Sequence, residues 1–143
     1  MPLLNVQLSG LDALSLKVSF LKNAARTGLK LGVAEAAGLF ESAAKDNAPV
    51  LTGRLRDSIH TDTLIDTPET QVLEVKPDTP YAHRIEVGFI GADSLGRNYH
   101  QAAQPYMRPA FDTERAAAEQ AIKDGVYESL DQAMNASSSK ANR

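Results

Sequence analysis

From Leu14 to Ala43 an apolar residue recurs every three or four positions, through Val18, Leu21, Ala25, Leu29, Val33, Ala36 and Phe40. That period predicts one amphipathic helix of about eight turns, with Thr27-Gly28 as the place for a bend or split. Ala34, Ala36, Ala37, Ala43 and Ala44 make its surface small enough for a sheet or second helix to approach closely. Ser9-Gly10-Leu11-Asp12 reads as a capping box at its start. Asn47-Ala48-Pro49 reads as its stop, because proline disfavours helix at the residue before it. Ahead of the helix, Leu4, Val6 and Leu8 alternate with Asn5 and Gln7, the pattern of a short edge strand.

Downstream the period changes. Ser58 to Ile65 is rich in β-branched residues, Asp66-Thr67-Pro68-Glu69 is a turn, and Thr70 to Lys76 returns, so a β-hairpin is expected. Pro77 and Pro80 break the ladder, since neither can donate a hydrogen bond. Tyr81 to Val87 suits one or two helical turns closed by Gly88 in a left-handed cap. Residues 89–103 show little periodicity and read as a long loop, either a mobile arm toward a neighbour or a plain insertion. A last helix is expected to open at Arg108-Pro109, with Phe111, Ala118, Ile122, Val126 and Leu130 on its apolar face and Gly125 as a weak point. Residues 1–134 read as a single domain and 135–143, serine-rich and without large aliphatic groups, as a flexible tail.

Composition narrows the chemistry. The chain of 143 residues has 43% apolar and 23% charged residues, the balance of an ordinary globular domain. Cysteine is absent, which removes disulfides, thiol nucleophiles and thiolate metal sites together. No run of about 18 apolar residues exists to span a bilayer, and Met1-Pro2-Leu3-Leu4-Asn5 lacks the order of a signal peptide. Work in the cytosol, or in a particle assembled there, is therefore expected. His60, His83 and His100 are scattered without metal-ligand spacing. Ser58 and His60 on one strand would point to opposite faces, against a catalytic pair. Thr52-Gly53-Arg54 lacks the glycine run and lysine of a phosphate loop. No catalytic residue, metal or cofactor is expected.

Net charge is −3, a weak argument against nonspecific nucleic-acid binding. Its distribution is more informative. Residues 1–34 carry Lys17, Lys22, Arg26 and Lys30 against Asp12, whereas residues 111–131 carry Asp112, Glu114, Glu119, Asp124, Glu128 and Asp131 against Arg115 and Lys123. Opposite charges favour two arrangements equally well: attraction within one subunit, or a basic face of one subunit meeting an acidic face of the next.

Three short segments stand where one element must stop and the next begin. They are Ala48-Pro49-Val50-Leu51-Thr52-Gly53-Arg54-Leu55-Arg56-Asp57-Ser58-Ile59, then Tyr81-Ala82-His83-Arg84-Ile85-Glu86-Val87-Gly88, then Gln104-Pro105-Tyr106-Met107-Arg108-Pro109-Ala110-Phe111-Asp112. In this order the chain resembles the tail-component family of long-tailed bacteriophages, neck proteins typified by a lambda-like phage of the HK group. The resemblance runs over roughly residues 5–134. It rests on Ala48, Pro49, Val50, Thr52, Gly53, Leu55, Ser58 and Ile59, on Tyr81, Ala82, Glu86 and Gly88, and on Pro105, Tyr106, Arg108, Pro109 and Ala110. Leu51 and Phe89 depart from the residues common at their positions.

The resemblance implies an α+β fold, a long N-terminal helix and a C-terminal helix packed on a small antiparallel β-sheet. It implies a structural protein without enzymatic activity or cofactor, located in the neck or tail of a virion assembled in the host cytoplasm. Subunits would close a ring of six or twelve copies, joining a head-completion or connector protein to a tail terminator or tail-tube protein. DNA would pass the lumen without specific binding, and no membrane would be involved. A tail terminator capping the tube is one alternative, and a small cytosolic binding or regulatory domain is another. Pro49, Thr52, Gly53, Leu55, Tyr81, Gly88, Pro105, Tyr106 and Pro109 are expected to shape the subunit for assembly. Arg54 and Arg56 are expected either as interfacial cations or as solvated arginines at a strand start. Arg108 is expected in a buried or interfacial ion pair, with Glu86 as the candidate partner.

Overall fold

The computed structural model describes residues 10–141. The proposed strand at Leu4–Leu8 and the hydroxyl of Ser9 lie outside them. Helix α1 (Leu11–Asn47) is a single element of 37 residues. Its N-cap is Gly10, held at φ 100°, a left-handed conformation that glycine adopts without steric cost. The helix ends where proline requires: Ala48 N–H makes the last bond to the Ala44 carbonyl, and Pro49 follows. Gly53, at φ 78°, then turns the chain into a five-residue helix α2 (Arg54–Ser58).

Strands β1 (Ile59–Asp66) and β2 (Gln71–Pro77) pair antiparallel, with a bulge between Thr63 and Ile65. The hairpin lies along α1 and is tied to it at two points. Thr61 Oγ1 donates to the Glu41 carboxylate at 2.7 Å, and Asp66 at the hairpin end pairs with Lys30 at 2.5 Å. A short helix α3 (Ala82–Val87) and strands β3 (Phe89–Ala92) and β4 (Asn98–Gln101) follow, and then helix α4 (Met107–Ala141). The strands form two separate two-stranded sheets, not one.

α1 and α4 run antiparallel in backbone contact. Gly28 lies on Gly125, and Gly32 on Ile122. A Cβ built on Gly125 would stand 2.6 Å from the Gly28 carbonyl oxygen and 2.9 Å from the Gly32 nitrogen. Thr27-Gly28, read from sequence as a bend, and Gly125, read as a weak point, are thus the seam of the helix pair. Farther along, Phe40 and Phe111 stack with ring centroids 5.3 Å apart.

Two further differences from the sequence reading have local causes. Residues 89–103 are mostly the β3–β4 hairpin, whose four-residue strands are too short to show alternation. α4 continues through Ala141, where Ser137 and Ser138 hydroxyls donate back to the Met134 carbonyl and Ser139 to that of Ala136. Serine can satisfy itself this way inside a helix, so a serine-rich composition does not by itself end one.

Candidate functional site

The three sequence segments, far apart along the chain, converge at one end of the helix pair. Ala48, Leu55 and Ile59 from the first, Ala82 from the second, and Tyr106 and Ala110 from the third form the buried cluster around Ala44. Tyr81, Ile85 and Met107 pack against it. Tyr106 is 1% exposed, and its burial pushes the phenol up to about 12, with the nearby Glu86 charge adding to the effect.

Glu86 fixes the start of α4. Its Oε2 accepts the N–H groups of Tyr106 at 2.8 Å and Met107 at 3.0 Å, and its Oε1 accepts that of Arg108 at 3.1 Å. A helix leaves four N–H groups without an internal partner at its first turn. Here Glu86 takes three, and the fourth position is Pro109, which has no N–H. Pro109 is therefore the third residue of α4, not the first. Burial raises the Glu86 pKa and is the largest single influence, but the three amides together outweigh it and hold the carboxyl below its usual range. A carboxylate at a helix N-terminus also complements the helix dipole. Gln104 N–H completes the joint by donating to the Ile85 carbonyl at 2.8 Å.

The expected Glu86–Arg108 contact thus exists through the backbone amide of Arg108. The Arg108 side chain is exposed, and among the described residues it forms no ion pair. Arg108→Ala keeps the amide that Glu86 binds. It should change unfolding free energy by less than about 0.5 kcal/mol, as read from urea denaturation, and any larger effect should appear in assembly.

The remaining residues divide by depth. Pro49, Tyr81 and Pro109 are half-buried, Gly53 and Leu55 are buried, and Thr52, Arg54 and Pro105 are exposed. Arg56 is exposed and pairs with its neighbour Asp57 at 3.0 Å. Gly88 has φ 79° but an extended ψ of 175°, so it turns the chain into β3 without forming the expected left-handed cap. Beside these residues Leu51 stands 96% exposed.

Sequence reading missed Asp93, which organises the β3–β4 tip. Its carboxylate accepts the N–H groups of Leu95 and Arg97, both at 2.9 Å, the Arg97 guanidinium at 2.7 Å and the Tyr99 hydroxyl at 3.2 Å. These bonds hold its pKa down, the Arg97 amide most strongly. Arg84 of α3 sits over the Phe89 ring at 4.5 Å and braces the hairpin base. The Asp-x-x-x-Arg spacing within a glycine-bearing stretch was the available signal.

The polar groups that could suggest chemistry are engaged structurally. Ser58 Oγ donates to the Leu55 carbonyl at 2.7 Å, while His60 Nδ1 bonds the Ser58 carbonyl at 2.9 Å, so hydroxyl and imidazole do not meet. That carbonyl is the main reason the His60 pKa is raised, with Asp78 and Asp62 adding to it. Glu86 is three residues from His83 on α3, but its carboxylate oxygens are occupied by amides. Among the described residues no group of three or more His, Asp or Glu side chains could hold a metal ion, and no helix is long and apolar enough to cross a membrane.

Residues 12–88 match the family model described as "Bacteriophage HK97-gp10, putative tail-component". The chain belongs to this family. The match covers α1 through α3 and so includes the first two segments of the HK97-gp10-like joint, with Glu86. The third segment, which Glu86 binds, lies beyond it. No curated protein and no solved structure matches the chain significantly. As an HK97-gp10-like tail component, the protein has a structural, tail-related role in a bacteriophage.

Proposed function

We propose that the protein forms a ring at the neck of the virion, joins the head connector to the tail, and leaves a channel for DNA. Beyond family membership, one observation carries this reading. The first turns of α1 carry a broad apolar surface that is uncovered: Leu11, Leu14, Leu16, Val18 and Phe20 are all exposed. Exposed apolar side chains gathered this densely mark an interaction surface, and within one subunit the described residues leave them exposed. Its role is assembly, not catalysis. Pro105, Arg108 and the Leu51 loop, all near the joint, suit contact with the rings above or below. An acidic subunit suits a DNA conduit, because carboxylates facing the lumen keep the duplex from adhering.

Electron microscopy of particles from a phage lacking the gene tests this reading. Separate filled heads and finished tails are the expected result. Tails of uncontrolled length would make the protein a tail terminator instead, and intact infectious virions would remove it from the neck.

A further inference from the structure

The two charged faces noted in the sequence are brought level by the fold and yet do not meet. With Gly28 on Gly125 and Gly32 on Ile122, Lys22 lies level with Asp131 and Arg26 with Glu128. Among the described residues no ion pair joins α1 to α4; Lys30 is taken by Asp66. The reason is rotational. At about 100° per residue, Lys22 and Arg26 lie roughly 120° round α1 from its glycine seam, and Asp124, Glu128 and Asp131 roughly 100° round α4 from theirs. The offsets have opposite senses along antiparallel helices, so the two charged ridges face outward on opposite sides of the pair.

Exposed apolar side chains divide in the same way. Leu11 and Val18 continue the basic ridge toward the tip of α1. Leu16, Phe20 and Leu31 lie on the other side, with the acidic ridge. On that side a groove of about 230 Å³ opens between Phe20 and Met134, with Lys17 and Ser137 at its edge. Each side thus pairs an apolar strip with a ridge of one dominant sign, Lys17 at the groove edge being the exception on the acidic side, and the complement of each side is the other side of the same molecule.

We propose that copies of this chain dock head to tail across the helix pair. The Val18, Lys22 and Arg26 ridge of one copy sits on the Phe20 groove and the Asp124, Glu128 and Asp131 ridge of the next. The occupant is a second copy because the two sides match in sign, in level along the helix and in having an apolar strip beside the charge. Two unlike patches on opposite sides of a subunit give a heterologous contact, the kind that closes into rings. Apolar burial would hold the contact, while the charges set register and exclude the reverse pairing. The proposal rests on the ring reading above and specifies its interface.

Charge reversal tests it. Lys22→Glu with Arg26→Glu gives a chain with two acidic sides, and Glu128→Lys with Asp131→Lys gives one with two basic sides. Lys22, Glu128 and Asp131 are exposed and Arg26 is half-buried, and circular dichroism checks that each variant folds. In sedimentation velocity at low salt the wild type should assemble, and each variant alone should associate about 100-fold more weakly or less well still. An equimolar mixture of the two variants should assemble again, with copies alternating. Variants that assemble as the wild type does would overturn this interface and leave the ring reading standing. Monomeric variants whose mixture also stays monomeric would show that the patches do not meet each other. A wild type that remains monomeric would overturn both readings.

Discussion

Gly125→Ala will destabilise the subunit by about 2–3 kcal/mol, while Gly38→Ala will stabilise it by about 1 kcal/mol. Both glycines are inside long helices, where alanine is intrinsically preferred because it loses less backbone freedom. At Gly38 a new Cβ meets nothing within 4 Å, so only the intrinsic gain remains. At Gly125 the methyl group would stand 2.6 Å from a backbone oxygen and 3.0 Å from a backbone Cα of α1. Backbone cannot rotate away as a side chain can, so the helices must separate along the seam, and dispersion contacts on either side of it are lost. Urea denaturation of the two variants beside the wild type gives both numbers. A Gly125→Ala variant at least as stable as the wild type would show that the helix pair is not held by this contact.

Glu86→Ala should cost about 2–3 kcal/mol, since it strips the cap from three amide donors of one helix start and leaves them partly shielded from water. Glu86→Gln keeps an acceptor but loses the charge, and about half that cost is expected. The pH dependence provides a second test. Because the folded-state pKa of Glu86 is depressed, its contribution is fully present above the unfolded value near 4.5 and is lost as the pH falls through the lower folded value. Acid titration of stability should therefore be shallower in Glu86→Gln than in the wild type. Parallel acid curves for the two would show that the carboxylate does not fasten α4.

The partner of Glu86 shows how far sequence reading reached. It names Arg108, which is the right residue, but it sees only side chains and so pairs the carboxylate with a guanidinium. The amides at a helix start carry no letter of their own. They become visible only once Met107 is known to begin α4 and Pro109 to lack the fourth donor. The long elements are legible because their signals are strong: the apolar row of α1, its stop at Pro49, and the β-branched run that becomes β1. α2 and the β3–β4 hairpin are too short for any period to register. The seam glycines were visible as letters. Gly28 and Gly32, four apart, mark one helix face, but only the partner helix distinguishes a close approach from a bend. The expectation that Arg108 lies at an interface, and the assembly roles given to Arg54 and Arg56, belong to surfaces that a single subunit leaves open.

The joint built by Glu86, Tyr106 and Ile59 sits at one end of α1, and the uncovered leucines sit at the other. At about 1.5 Å per residue, the 37 residues of α1 make a rod of about 55 Å. The backbone-to-backbone seam prevents the two helices from sliding independently, so the pair moves as one beam. A tilt of about 10° of the pair about the joint would swing the far tip by nearly 10 Å, about the diameter of an α-helix. Small adjustments where the three segments meet are therefore magnified at the opposite end of the molecule, as a lever magnifies a short stroke.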